Sequence, residues 1–221
     1  MRVIAGVVWW VVVSTPVMAG AIDIVMDLQT INAAIVLGQT RIERDRTRFH
    51  EPYRVAVNKA PLDYIDIVTP FRLVVLTAET RARTGDRSFG QRQALELVAA
   101  AAHQVDVHVE FTFHPLNTYI GVPEYAVRLE EQGAAASAGT RIRLPIRIER
   151  VPRFGARVDG TPLSLPVPGG IAPGKSQPML GGSVVARFDG QTLNATGTYD
   201  VIVSENEKEL GRARVGFSRL R

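Results

Sequence analysis

The chain has 221 residues, with 26 basic against 22 acidic side chains and no cysteine. A net charge of +4 is too small an excess to point to nucleic acid. The missing thiols exclude disulfides, thiol catalysis and an acylated lipoprotein cysteine.

Met1-Arg2 gives a short positive start, and residues 3–13 form an uncharged apolar run. Ser14, Thr15 and Pro16 break that run, and Val17-Met18-Ala19 places small residues where a signal peptidase reads. This order predicts an export signal over residues 1–19, cut after Ala19 or, as second choice, after Ala21. The alternative is an uncleaved anchor, but a run of eleven apolar residues falls short of the ~20 needed to span a bilayer. No later stretch is long and apolar enough for a second span. Cleavage leaves about 200 residues, with 25 basic and 22 acidic side chains once Arg2 is gone. An exported chain without cysteine points to a bacterial envelope, hence a periplasmic or secreted location. In that setting the Asn194-Ala195-Thr196 acceptor pattern carries no meaning. Arginine makes up 23 of the 26 basic residues. It suits carboxylate and phosphate contacts, although the codon use of a GC-rich genome gives the same bias.

In residues 27–37, Leu28, Ile31 and Ile35 share one helical face, with Asp27 as a cap and Gly38 as a stop. Residues 41–48 suit a second, charged and solvated helix, with Arg41 and Asp45 four apart and Glu43 and Arg46 three apart. Pro52 ends it. Residues 65–77 alternate, with Ile65, Ile67, Phe71, Leu73 and Val75 apolar, which predicts strand with a bulge, edge or break at Pro70. Ser88 and Gln91 fit a capping box before a helix over about 89–103. Residues 105–114 alternate strictly, and Tyr125, Val127 and Leu129 repeat the pattern more briefly.

Residues 133–139 form an Ala/Ser/Gly-rich connector and a candidate domain boundary. In residues 141–148, Ile142, Leu144, Ile146 and Ile148 form an apolar face opposite Arg141, Arg143 and Arg147. With Pro145 among them, this looks like a protected sheet edge. Between Gly160 and Gly182, eleven of 23 residues are glycine or proline, which predicts a long irregular loop. The tail reads as hairpins: a turn at Asp189-Gly190, alternation at Tyr199, Val201 and Val203, a turn over 205–208, and alternation back through Ala213, Val215 and Phe217. The pattern Leu193-x-x-x-Gly197-x-Tyr199-x-Val201 resembles the tyrosine corner of immunoglobulin-like sandwiches. The likeness covers about nine residues, and the resemblance implies a tyrosine bonding back to the corner before its strand. The fold class expected is mainly β (α+β), with an α+β unit over 22–132 followed by an immunoglobulin-like β-sandwich unit over 140–221. A single continuous sandwich with helical decorations is the alternative.

Three groups carry candidate chemistry. Asp106, His108, Glu110, Thr112 and His114 share the polar face of one strand, with neighbours two apart ~7 Å from each other. His108 with Glu110 suits a general acid–base pair. His108, Glu110 and His114 suit part of a metal site whose remaining ligand would be His50 or His103. Arg141, Arg143 and Arg147 open the densest basic stretch, which continues to Arg150, Arg153 and Arg157 and suits an anionic partner or a soluble edge. Residues 115–123 are unusually apolar for a connection, which suits a domain contact or a binding surface. Gly174-Lys175-Ser176 ends like a phosphate loop, but its first glycine is misplaced. The expectation is a non-catalytic binding or interaction module with no cofactor and no nucleic acid. Its partner would be an envelope protein or a surface polysaccharide. The rival is an exported hydrolase or metal-binding protein using the 105–114 face. A subunit of a larger envelope assembly is a third reading, which requires a large apolar patch.

Overall fold

The computed structural model describes residues 22, 24–114, 116–133, 141–154 and 179–221. The export signal, Gly174-Lys175-Ser176, Arg157 and most of the connectors at 133–139 and 160–182 lie outside the described residues.

Four helices form one layer. Helix α1 (Leu28–Gln39) begins where the Asp27 carboxylate accepts the Thr30 amide at 2.7 Å, a side-chain cap for an otherwise orphan donor. Ile31, Ala34 and Ile35 are buried while Leu28 faces water. Gly38 does not stop this helix. It lies inside it, where a Cβ would come 2.5 Å from the Val75 carbonyl oxygen and 2.6 Å from the Ala78 Cβ. The glycine is there for close helix approach.

Helix α2 (Glu43–His50) buries none of its residues. Its expected pair Glu43–Arg46 gives way to a longer one: Arg46 bonds Glu79 at 3.2 Å. Helix α3 (Pro70–Arg83) replaces the second half of the strand expected over 65–77. Thr69 caps it by accepting the Arg72 amide, and Pro70 occupies the first turn, where a missing N–H costs nothing. Phe71, Val74, Val75 and Ala78 then fall at helical spacing and bury against α1. Helix α4 (Gln91–Ala101) starts two residues later than the capping box expected at Ser88. Gln93 accepts the Gly90 amide, and Ser88 bonds Asp86 instead.

Two antiparallel sheets form the rest. The five-stranded sheet runs β1 (Arg54–Lys59), β2 (Leu62–Val68), β3 (Gln104–Thr112), β7 (Met179–Asp189), β6 (Arg147–Phe154). The four-stranded sheet runs β5 (Arg141–Arg143), β4 (Tyr125–Gln132), β8 (Thr198–Glu205), β9 (Lys208–Gly216). The molecule is thus mixed α+β. Each sheet takes strands from both sides of residues 133–139. Strand β3 stops at Thr112, short of His114, and β7 begins at Met179, inside the stretch expected to be a loop. Asn206 and Glu207 both take positive φ in the two-residue hairpin between β8 and β9, the form that matches strand twist.

One apolar core lies between the sheets. Alternate residues of β3 (Val105, Val107, Val109, Phe111) meet Tyr125, Val127 and Leu129 of β4 and Val201 and Val203 of β8. Phe111 stacks on Tyr125 with centroids 4.2 Å apart. A second cluster joins α1, α3 and α4, and Phe49 packs against both. No helix among the described residues is long and apolar enough to cross a membrane.

Candidate functional site

Strand β3 is the middle strand of the larger sheet, and its even residues point away from the core. The carboxylates on this face are each held by an arginine. Asp106 accepts from Arg187 at 3.0 and 3.3 Å, and Glu110 pairs with Arg153 at 3.0 Å. On the adjacent strand Asp66 lies in register with His108, but its carboxylate accepts from Arg72 at 2.6 and 3.2 Å. Thr112 donates to Asp63 at 2.6 Å.

His108 therefore sits among three occupied carboxylates and makes no hydrogen bond among the described residues. Burial pushes its imidazole below the usual range, against the pull of Asp106 and Asp66. Burial raises Glu110, with Arg153 opposing. His114 lies beyond the strand, where its Nδ1 accepts the Leu116 amide at 3.2 Å. The two further histidines lie in other surroundings. His50 bonds Glu79 at 3.0 Å, and His103 Nδ1 lies 3.1 Å from the Ile24 carbonyl. Among the described residues no three His, Asp or Glu side chains gather to hold a metal ion. A cleft of about 230 Å³ opens beside this face between Leu73 and Leu97, but its charged lining is the Asp106–Arg187 pair already closed on itself, beside Thr69 and Gln104.

The junction of helices and sheet is a second polar cluster. Arg72, almost wholly buried, donates to Asp66, to the Ile67 carbonyl at 2.5 Å and to His50 Nδ1 at 3.3 Å. A guanidinium only donates, so His50 Nδ1 accepts and the ring proton sits on Nε2, facing Glu79. Glu79 also takes Arg46 and Arg83. Tyr53 and Thr69 fix Arg221, with the Thr69 hydroxyl and the Tyr53 hydroxyl both donating to the Arg221 carbonyl. These groups satisfy one another and tie α2 and α3 to β2.

The sheet pair is sealed along one rim and open along the other. At the sealed rim β1 packs against β9, and a Cβ on Gly211 would come 2.6 Å from Leu62. At the open rim β5 ends one sheet and β6 ends the other. The alternation over 141–148 led us to expect a single edge strand with a buried apolar face. The chain instead leaves the smaller sheet after Arg143 and enters the larger at Arg147, with Pro145 at the crossing. Ile142, Leu144 and Ile146 consequently face water, 54%, 71% and 60% exposed. Val151 and Phe154 on β6 are exposed as well, Val151 on the face that carries Arg147 and Arg153 and Phe154 at the strand's end. The 116–122 connection meets its far end. Asn117 Nδ2 donates to the Met179 carbonyl, Met179 pairs with Phe154, and Val122 lies over Gly182, the partner of Pro152. There Leu116 and Ile120 are exposed, Ile120 by 98%.

Thirteen large apolar side chains are exposed among the described residues, and eight of them belong to this rim and corner. The other five lie on or beside α1, α2 and α4. The side chains of Arg141, Arg147 and Arg150 lie beside these residues and make no hydrogen bond or ion pair among the described residues, whereas Arg153 is held by Glu110, the Phe111 carbonyl and Thr112. Arg143 lies in register with Leu129, and its Nε is buried without a partner. Sequence reasoning found these arginines and the 115–123 connection. It missed Ile142, Leu144, Ile146, Val151 and Phe154 as surface residues, although Pro145 in mid-alternation was a signal that the strand divides. No known family model, curated protein or solved structure matches the chain.

Proposed function

We propose that the chain is an exported, non-catalytic binding or interaction module of a bacterial envelope, periplasmic or secreted, and that it engages a partner through the open rim. The observation that carries this is the gathering of exposed Ile142, Leu144, Ile146, Val151 and Phe154 beside Arg141, Arg147 and Arg150. Large apolar side chains left exposed close to unpaired charge are the ordinary mark of a protein contact. The leader over residues 1–19 and the lack of cysteine support export. The polar face of β3 supports the rival hydrolase or metal reading less well, because its carboxylates already have arginine partners. We also take the two-sheet body to be an immunoglobulin-like sandwich. The Tyr199 hydroxyl accepting the Asn194 amide at 2.6 Å supports that reading.

The test is capture from the native envelope by the tagged mature chain. Leu144→Asp with Ile146→Asp should abolish capture of the component that the unaltered chain retains, while His108→Ala retains it. Capture lost in His108→Ala and kept in the double variant would refute the proposal.

A further inference from the structure

We infer that the partner presents an extended, acidic peptide segment that adds as a strand to the free edge of β6. This deepens the binding-module reading and rests on it. Strand β6 has one neighbour, β7, so its outer row of backbone groups has no strand partner among the described residues. Eight residues at ~3.3 Å each give an edge of about 26 Å, room for a segment of about eight residues. Strand addition supplies affinity through main-chain hydrogen bonds and specificity through alternate side chains.

Charge and chemistry select the occupant. Arg147 and Arg150 lie on opposite faces of β6, beside exposed Val151 and Phe154. A second copy pairing edge to edge about Arg150 would set Arg150 against Arg150 and Arg147 against Arg153, which is destabilising across strands, and a register that matches Arg147 to Glu149 pairs only residues 147–149. A lipid surface would take Leu144, Ile146 and Ile120, but inserting the rim would carry an open sheet edge into hydrocarbon, where its backbone groups find no partner. A polysaccharide would use the arginines and leave Leu144, Ile146 and Val151 in water. Gatekeeping charges and Pro152 explain why an edge stays soluble; they do not explain why three large aliphatic side chains crowd the crossing beside it. An acidic segment with interleaved aliphatic residues uses both features.

The probe is a fluorescein-labelled ten-residue peptide alternating glutamate and valine, titrated with the mature chain and read by anisotropy. We expect saturable binding, at least tenfold weaker for Arg147→Glu with Arg150→Glu, and largely restored in Arg147→Lys with Arg150→Lys. The lysine counterpart of the peptide, and the acidic peptide N-methylated at four adjacent central amides, should each bind at least tenfold more weakly. Thermal melting checks that the charge-reversal variant is folded, with a midpoint matching that of the unaltered chain. Equal binding of the N-methylated peptide would overturn strand addition. So would indifference to charge reversal, or binding to phosphatidylglycerol vesicles in place of the peptide. If the peptide fails to bind while envelope capture still depends on Leu144 and Ile146, this inference falls and the binding-module reading stands. If both fail, both fall.

Discussion

The two rims of the sheet pair are built from the same residue types and use them oppositely. At the sealed rim, Leu62 and Val57 cover Gly211, and the arginines are matched to carboxylates: Arg54 to Asp66, Arg214 to Asp200, Arg212 to Asp200 and Glu209. Hydrogen bonds from Arg214 hold the Asp200 carboxyl below its ordinary range. At the open rim, aliphatic side chains face water and Arg141, Arg147 and Arg150 have no carboxylate among the described residues. The sealed rim stabilises the fold. On the proposed reading the open one contributes little to folding and offers its contacts to another molecule. Substitutions should therefore separate by rim: stability falls at one and binding falls at the other.

The largest stability loss should come from the helix–sheet junction behind the sealed rim. Arg72→Ala leaves the Asp66 carboxylate buried with only the half-exposed Arg54. Removing one partner of a buried pair costs ~3–5 kcal/mol, to be read by urea unfolding. Leu62→Ala at the seam should cost ~2–5 kcal/mol, because a fully buried leucine leaves a cavity. Gly38→Ala should cost ~1–3 kcal/mol through overpacking of α1 on α3.

Acidification should act on the same side of the molecule. Burial holds His50 and His108 below the ordinary imidazole value of 6.5. For His50 the nearby Arg72 adds to this, while Glu79 and Asp66 oppose it. For His108 the opposing groups are Asp106 and Asp66, and Arg72 and Arg187 add to burial. The unfolded chain therefore binds protons first as pH falls through about 6.5, so stability present above that pH is lost on going lower. Unfolding midpoints measured from pH 7.5 to 5 should drop, and His50→Gln should flatten the slope. The smallest stability change is expected at the open rim. Leu144→Ser should stay within ~0.5 kcal/mol of the unaltered chain and yet weaken partner capture. A loss comparable to that of Leu62→Ala would mean that the rim is covered by the chain's own packing.

Helices and hairpins were legible in the sequence where a local signal agreed with the period. Asp27 caps α1, the alternation of β3 buries every odd residue, and the turn over 205–208 closes a hairpin. Residues 71–77 misled because Phe71, Leu73 and Val75 satisfy a period of two while Phe71, Val74, Val75 and Ala78 satisfy 3.6. Thr69-Pro70 was the deciding pair, an N-cap followed by a residue suited to the first turn. The charged candidates on β3 were placed correctly on one face, but pattern alone could not show that Arg187 and Arg153 come from elsewhere to occupy Asp106 and Glu110. The open rim was hidden for a related reason. Ile142, Leu144 and Ile146 alternate like a half-buried strand, and whether such a face is covered depends on which sheet each half joins.

Hydrogen exchange on residues 22–221, with and without whatever component the chain is found to capture, is the most direct test of the proposed open-rim contact. New protection is expected over β5, β6 and residues 116–122, with β1, β9 and the 106–112 face unchanged. Protection confined to the β1–β9 rim, or to the polar face around His108, would contradict it.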